Sequence, residues 1–354
     1  MPQPMHILGL MSGTSLDGLD IAYCRFFDEQ PLRFELLAAE TIPYPSEWVA
    51  RLSSLENASA LDYALAHVRL GHYFGKCVNH FRQRHPGPVD LISSHGHTIF
   101  HQPQSGLTTQ IADGDAIAAE TGILTAFNFR TFDVALGGQG APLVPIGDQM
   151  LFPNYDACLN LGGIANISFF RNGVRQAFDI SPCNMALNHL SRRLGQPFDR
   201  DGLLASQGTL DDRILQQMDS LDYYTQPAPK TLGKEWFVSH FQPFLDNGNA
   251  QDLLRTSVEH IARQIANVLR QQQVDNLLIT GGGAKNRFLI GRLEQLSPRT
   301  RVVRPSDEVI DYKESIVFAL LGYLRLKGLP NCLASVTGAR YDNVGGQLSA
   351  LPTA

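Results

Sequence analysis

The sequence predicts an α/β protein of two lobes, and three observations carry that expectation. The chain is 354 residues long, beyond the size at which a single hydrophobic core stops growing, so two cores are the default. Apolar runs of strand length alternate with amphipathic stretches of helical period in both halves. A unit of strand, small-residue turn and returning strand occurs near the N-terminus and again half a chain later, which suggests an internal duplication of architecture.

In chain order, His6 to Leu10 reads as a buried strand, MSGTSLDG as a loop, and Leu19 to Phe26 as the returning strand. Leu61 to Arg82 has helical spacing in two offset stripes, Leu61, Leu65 and Val68 on one face and Leu70, Phe74, Val78 and Phe81 on another. That offset predicts a bend or break near Gly71. Pro86-Gly87-Pro88 closes the helix, and a short strand, Val89 to Ser93, runs into SHGHTIFHQP. Gln110 to Gly122 combines a strand end with a helix, and Leu124 to Phe129 is a further strand. LGGQGAPLVP has no periodicity, and the lobe boundary is expected there, between Gly137 and Asp148, as a hinge or an ordinary surface loop. The first lobe is then residues 1–140, with the Gly-rich tail 335–354 folding back on it, and the second is 141–334.

The stretch from Cys158 to Asn188 is the most informative. An apolar run ends in Asn160-Leu161, turns on Gly162-Gly163 and resumes as an alternating strand, Asn166 to Phe170. A second turn on Asn172-Gly173 leads into a strand ending at Asp179, just before Ser181-Pro182, where the ladder is expected to stop. Asn-Gly between alternating runs is a strong hairpin signal. Paired glycines let the backbone approach a ligand and leave N–H groups to point at an anion. One hairpin is thus a candidate phosphate cradle, and the next delivers a candidate acid or base. On the residues alone, Asp179 reads more readily as a strand-end carboxylate capping the next turn than as a base. Beyond it come a helix from Asn184 to Leu194, a polar FDRDG turn and an amphipathic helix, Gln251 to Gln272. Strand Asn276 to Thr280, glycines 281–283, helix Ala284 to Leu296, strand Arg301 to Arg304 and helix Lys313 to Lys327 complete the chain. The strand–glycine–helix order suits a ligand at the carboxyl end of a sheet.

Composition excludes several classes. A net charge of -5 with no dense Lys/Arg run argues against a nucleic-acid surface. Five scattered cysteines without a CxxC pair give a reduced, intracellular pattern and no zinc or disulfide framework. The N-terminus lacks a basic n-region, and no run approaches the ~20 apolar residues of a membrane span, so a cytoplasmic protein is expected. His95, His97 and His101 lack the flanking Cys or carboxylate that would complete a metal site. Gly13-Thr14-Ser15-Leu16-Asp17 misses the nucleophile elbow by its final glycine. Neither a P-loop nor a dinucleotide fingerprint is present. Three glycine turns, at Ser12-Gly13-Thr14, Gly162-Gly163 and Gly281 to Gly283, each follow an apolar strand and together suggest a nucleotide wedged between the lobes.

The segments GLMSGTSLDGLD, SSHGHTIFHQP, LGGQGAPLVP, LNLGGIANIS, ITGGGAKN and SVTGAR closely resemble those of the anhydro-N-acetylmuramic acid kinases, in the same order and over essentially the whole chain. The resemblance implies the fold of actin, sugar kinases and heat-shock ATPases, with ATP and sugar in the interlobe cleft, Mg²⁺ as cofactor and a homodimer. It also implies a reaction in which water opens the 1,6-anhydro ring while ATP phosphorylates O6, giving N-acetylmuramic acid 6-phosphate in peptidoglycan recycling. Asp179 is then the general base that takes a proton from water. Gly13, Thr14, Ser15, Leu16, Asp17, Gly18, Leu19 and Asp20 form the first phosphate turn, with Asp17 near the metal. Asn160, Gly162, Gly163 and Asn166 form the second; Gly281, Gly282, Gly283 and Asn286 form the adenosine turn. His95, Arg130, Asp133 and Glu314 fall near the sugar and its lactyl carboxylate, for which Arg130 is the best physical partner.

The chain departs from the family pattern beside the base. FDTGPGN is replaced by Phe178 to Asn184 with Ile180, Ser181 and Cys183, and Asn188 stands where a further Asp is usual. These side chains are expected to crowd the loop at the base, with strain wherever the backbone needs positive φ. Asn128 replaces an Asp before Phe129-Arg130, and Asp148 replaces a His after APLVP. Alternative readings are a kinase for a simpler anhydrosugar such as levoglucosan, a non-catalytic ATP-binding module on the same fold, and a Ser15–His95 esterase.

Overall fold

The computed structural model describes residues 3–350 except 229. The ends of the first lobe and of the tail, at residues 1–2 and 351–354, lie outside the described residues. The chain divides into one unit running up to Pro153 and resuming at Tyr312, and a second unit, Asn154–Asp311. Its strands are β1 (Met5–Ser12), β2 (Gly18–Phe27), β3 (Arg33–Pro43), β4 (Leu91–Gln102), β5 (Leu107–Ile111), β6 (Thr125–Phe127), β7 (Ala157–Leu161), β8 (Ile164–Arg171), β9 (Val174–Pro182), β10 (Asn276–Thr280), β11 (Arg301–Val303) and β12 (Gln347–Leu348).

The first unit holds a sheet of order β12-β6-β4-β1-β2-β3, with β5 paired to β4. In it β1–β2 and β2–β3 are antiparallel, while β1–β4 and β4–β6 are parallel. The second unit holds β11-β10-β7-β8-β9, again with two antiparallel pairs followed by two parallel ones. The suggested duplication is therefore one of topology. Each sheet buries its own apolar cluster: Leu8, Leu10, Leu19, Ile21 and Ile92 in the first unit, Leu159, Leu161, Ile167, Leu277 and Ile279 in the second.

Several expectations change. The helix Ala60–Arg84 is continuous, capped by the Ser59 hydroxyl. Gly71 and Gly75 serve close packing there: a Cβ would stand 2.5 Å from Asp113 O and from Glu120 Cβ respectively. The buried stripe is Leu70, Phe74, Val78 and Phe81, whereas Leu61, Leu65 and Val68 are exposed. The unit boundary falls after Pro153 and not within Gly137 to Asp148. That glycine-rich segment is pinned inside the first unit, where Gly140 N donates to Asp133 Oδ2 and Gln139 N to Thr337 O, both at 2.8 Å. The late helix begins earlier, at Asp307, with a non-helical Tyr312, and from Tyr312 onward belongs to the first unit. Gly9 and Gly322 explain why, since a Cβ on Gly9 would strike Ser315 O and one on Gly322 would strike Ser93 Cβ.

Candidate active site

Asp179 occupies a bulged strand. β9 does not stop at the carboxylate but continues to Pro182. Asn166 pairs with Asp179 and Ala165 with Ser181, so Ile180 is skipped in the register. A bulge of this kind bends the strand and re-aims the adjacent side chain. Pairing also runs from Thr280 to Asn160 and from Asn160 to Asn166, which lines Thr280, Asn160, Asn166 and Asp179 across four strands. Directly paired residues share a face, so the polar groups stand together while Leu159, Ile167 and Phe178 enter the core. Asp179 Oδ2 accepts from Leu232 N at 2.8 Å. Burial pushes its carboxyl up from the usual range, with the Leu232 N–H opposing. Its backbone is held too, N donating to Lys230 O at 3.1 Å and O accepting from Tyr223 Oη at 2.6 Å. Tyr223, Lys230 and Leu232 come from a segment without apolar periodicity, and sequence reasoning did not single them out.

The glycines separate into two kinds. At Gly13, Gly162, Gly163 and Gly282 the backbone φ is not positive, and an added Cβ would find its nearest neighbour at 3.6, 3.4, 3.8 and 3.6 Å. Folding does not demand glycine at those positions, so they are free to admit a ligand close to the backbone. Gly281 has φ of +80° and a Cβ there would lie 2.4 Å from Asn160 Oδ1, while one on Gly283 would lie 2.7 Å from Leu161 Cβ. These two are required by packing. The second turn is set by the helix Asn184–Arg193: Cys183 N and Met185 N donate to Gly163 O, and Asn184 N donates to Gly162 O. That arrangement satisfies N–H groups a helix start leaves without intrahelical partners.

In the first turn Thr14, Ser15 and Asp17 are exposed, and Leu16 takes a φ of 61°. Asp20 is half-buried and its Oδ1 accepts from Thr41 Oγ1 at 2.6 Å. Gly18 and Leu19 are also fixed by packing. A Cβ on Gly18 would meet Ile42 O at 2.3 Å, and Leu19 is wholly buried in the core. Ser12, not Ser15, has a histidine partner, its Oγ lying 2.8 Å from His97 Nδ1 and 2.6 Å from Tyr44 Oη in a buried chain.

Beside glycines 282–283 the second unit has a cavity of about 590 Å³, lined among others by Asn184, Asn188, Phe198, Arg287 and Arg304. Its volume suits a nucleoside-sized ligand. Asn286 also reaches this wall, but its Oδ1 caps the helix Arg287–Leu296 by accepting from Leu289 N at 3.0 Å. Asn188 and Phe198 carry no periodic signal that marks them as cavity residues.

Among the proposed sugar-side residues, His95 and Arg130 meet directly. Arg130 Nε donates to His95 Nε2 at 3.1 Å, and Arg130 Nη1 donates to Gly140 O at 2.6 Å. His95 Nδ1 faces Gly96 O at 3.0 Å, so the proton sits on Nδ1. Burial and the adjacent guanidinium hold His95 well below the usual imidazole range, and thus neutral. The Glu314 side chain is solvent-accessible, yet enough protein surrounds it that desolvation pushes its carboxyl up, with Arg130 opposing. Asp133 stands apart. It is fully buried and takes hydrogen bonds from Gly140 N, Thr337 Oγ1 and Asn343 Nδ2 at 2.8 to 2.9 Å, which makes it a brace for the glycine-rich segment. No group of three or more His, Cys, Asp or Glu suited to a metal occurs among the described residues.

Residues 5–350 match the family described as anhydro-N-acetylmuramic acid kinase. The chain belongs to that family. An anhydro-N-acetylmuramic acid kinase of Pasteurella multocida is 37% identical, covering 95% of this chain and 94% of the relative. One from Gloeobacter violaceus is also 37% identical, at 95% and 96% coverage, and one from Vibrio cholerae is 36% identical, at 94% and 95%. Among solved structures, a glucokinase of Streptomyces griseus bound to glucose and AMPPNP aligns with a TM-score of 0.43 at 10% identity, covering 90% of this chain and 99% of that one. Family membership brings the fold class of actin, sugar kinases and heat-shock ATPases.

Within this anhydro-N-acetylmuramic acid kinase family member, the departures beside Asp179 are buried in the fold. Ile180, Ser181 and Cys183 are buried and point inward. None of the three has positive φ, so no left-handed strain arises. Asn128 does have positive φ, 57°, a conformation that Asn and Asp both tolerate. Asp148 is buried against Lys313, at 2.6 Å.

Proposed function

We propose that this protein is an ATP-dependent kinase that opens a 1,6-anhydro sugar with water and phosphorylates O6, with anhydro-N-acetylmuramic acid as substrate and N-acetylmuramic acid 6-phosphate as product. The observation that carries this is Asp179, a desolvated carboxylate aimed by a one-residue bulge and aligned with Asn160 and Asn166. The curated relatives bear the same name as the proposed activity.

In this reading Asp179 accepts the proton of the water that attacks C1, and its raised pKa matches the task, because a base works best when its pKa approaches the operating pH. The breaking C1–O6 bond leaves O6 to take the γ-phosphoryl group. Gly13 to Asp17 and Gly162-Gly163 offer backbone N–H groups to phosphate oxygens, and the cavity beside Gly282 takes the adenosine. Arg130, held by neutral His95, is the partner for the lactyl carboxylate, and Glu314 faces the sugar. Asp17 and Asp20 are the carboxylates the first turn offers to Mg²⁺. This ion keeps much of its water and takes only one or two protein carboxylates, so this pair is enough to hold it. Bound there, Mg²⁺ would neutralise charge on the phosphate oxygens. Cys24, Cys77, Cys183 and Cys332 are buried free thiols, which supports a reducing cytoplasm. The proposed homodimer is testable by light scattering on the purified chain.

Incubation with ATP, Mg²⁺ and anhydro-N-acetylmuramic acid, followed by mass spectrometry, tests the reaction. The expected product is heavier by phosphate plus water. A gain of phosphate alone overturns the hydrolytic step. ATP binding without turnover on either this sugar or levoglucosan overturns the kinase reading.

A further inference from the structure

Two adjacent tyrosines reach β9 on either side of its bulge. Both lie on the short turn Asp222–Thr225. Tyr223 Oη donates to the Asp179 carbonyl at 2.6 Å, and Tyr224 Oη lies 3.4 Å from Ser181 Oγ. The second tyrosine is itself latched, with its Oη 2.7 Å from His260 Nε2. His260 Nδ1 in turn stands 2.6 Å from Asp219 Oδ1. Gln264 Nε2 donates to the same Asp219 oxygen at 2.9 Å, and Arg263 lies 3.7 Å from the other. A carboxylate can only accept, so Nδ1 carries the imidazole proton and Nε2 accepts from the Tyr224 hydroxyl. Burial alone would raise Asp219, but the bond from His260 and the contacts of Gln264 and Arg263 hold it below the usual carboxylate range.

This relay is more polar than a strand anchor requires. His260 is completely buried, and desolvating an imidazole, a carboxylate and a phenol costs more than filling the same volume with apolar groups. The chain beyond the tyrosines supplies a reason. It continues to Lys230, whose carbonyl accepts from Asp179 N, and to Leu232, whose N–H holds Asp179 Oδ2. One strap thus binds the Asp179 carbonyl, amide and carboxylate. Wherever the strap sits, the carboxylate sits.

We propose that Tyr223 and Tyr224 are positioning residues for Asp179, and that the Asp219–His260 pair locks the turn that carries them. The proposal rests on Asp179 being the base. A strap that sets the direction of the carboxylate acts on the chemical step and leaves ground-state binding alone.

The test uses the full chain with Tyr223→Phe, Tyr224→Phe, His260→Gln and the Tyr224→Phe/His260→Gln double variant. Loss of alignment is expected to lower kcat about tenfold in each, while KM for ATP and sugar stays within about twofold. The double variant is expected to be no slower than the worse single one, because both break one latch. Hydrogen exchange of the segment 178–184 is expected to quicken in every variant, and this readout needs no turnover. Normal kcat, additive losses, or unchanged exchange each overturn the proposal; a lower melting temperature with normal kcat shows a strap that only stabilises. Asp179→Asn separates the two readings. If that variant keeps turnover, the base assignment fails, and the exchange data still decide whether the strap holds the strand.

Discussion

The five strands β3-β2-β1-β4-β6 and β9-β8-β7-β10-β11 share one order and one pattern of directions, yet they place different chemistry next to their turns. In the first, the row before the turn is Met11, Asp20 and Thr41; in the second it is Asn160, Asn166 and Asp179. Each outer strand carries one register irregularity. In β3 it falls between Tyr23/Cys24 and their partners, far from the turn, and skips the exposed Leu37. In β9 it falls at Ile180, next to the polar row and in the core. The first carboxylate is tied to a threonine hydroxyl, whereas the second is desolvated and held by a single backbone N–H at Oδ2. Topology is thus common to the two units, and the position of one extra residue separates a candidate phosphate and metal turn from a candidate base.

The largest effect that should break this comparison is Asp179→Asn, which is expected to lower kcat by about 10²–10⁴ with the fold intact. The pH dependence follows from the same environment. A base must be ionised, and burial raises the pKa of Asp179, so activity should fall on acidification through a limb above the ordinary carboxylate value. Stability has the opposite sense. A carboxyl whose folded pKa is raised favours the fold when protonated and opposes it as pH rises through that pKa. Asp179→Asn is therefore expected to raise the melting temperature at neutral pH while abolishing most turnover. A variant that lost both would point to a structural aspartate.

The glycines sharpen the comparison next. Gly281→Ala should cost about 1–3 kcal/mol in denaturant unfolding, because its backbone is left-handed and its Cβ would strike Asn160 and Leu161. Gly163→Ala should leave the unfolding midpoint nearly unchanged, since its Cβ meets only Met185 Cε, at an ordinary contact distance of 3.8 Å, and instead raise KM for ATP by about tenfold if the phosphate turn is read correctly. Equal destabilisation by both would remove the distinction between packing and ligand glycines.

Much of this architecture was legible, and the failures have physical causes. Periodicity located the Asn276–Thr280 strand end to end, as well as the helix Ala250–Gln272 within one residue. It missed β3 because Arg33–Pro43 is half-exposed on both faces and so lacks alternation. The strand at Asp179 seemed to end before Pro182; no local signal marks a bulge, which exists only in the pairing with β8. The motifs singled out Gly163 and Gly281 alike, although one is open and the other packed, because that difference comes from Asn160 and Leu161 across the sheet. Tyr223 and Leu232 stand 44 and 53 residues from Asp179 and meet it only in three dimensions.

The smallest effect belongs to Thr41, the counterpart of Asp179 in the first sheet. Its hydroxyl donates to Asp20 Oδ1 at 2.6 Å. Thr41→Val keeps the β-branched shape and removes that donor, which should cost about 0.5–1.5 kcal/mol of stability. Water can reach the half-buried Asp20, so the loss belongs at the low end. If Asp20 is one of the Mg²⁺ carboxylates, loss of the threonine donor alters the apparent Mg²⁺ requirement for turnover without the collapse of kcat expected at Asp179. A Thr41→Val protein as inactive as Asp179→Asn would mean that the two rows share one catalytic task, and the bulge would no longer be what sets them apart.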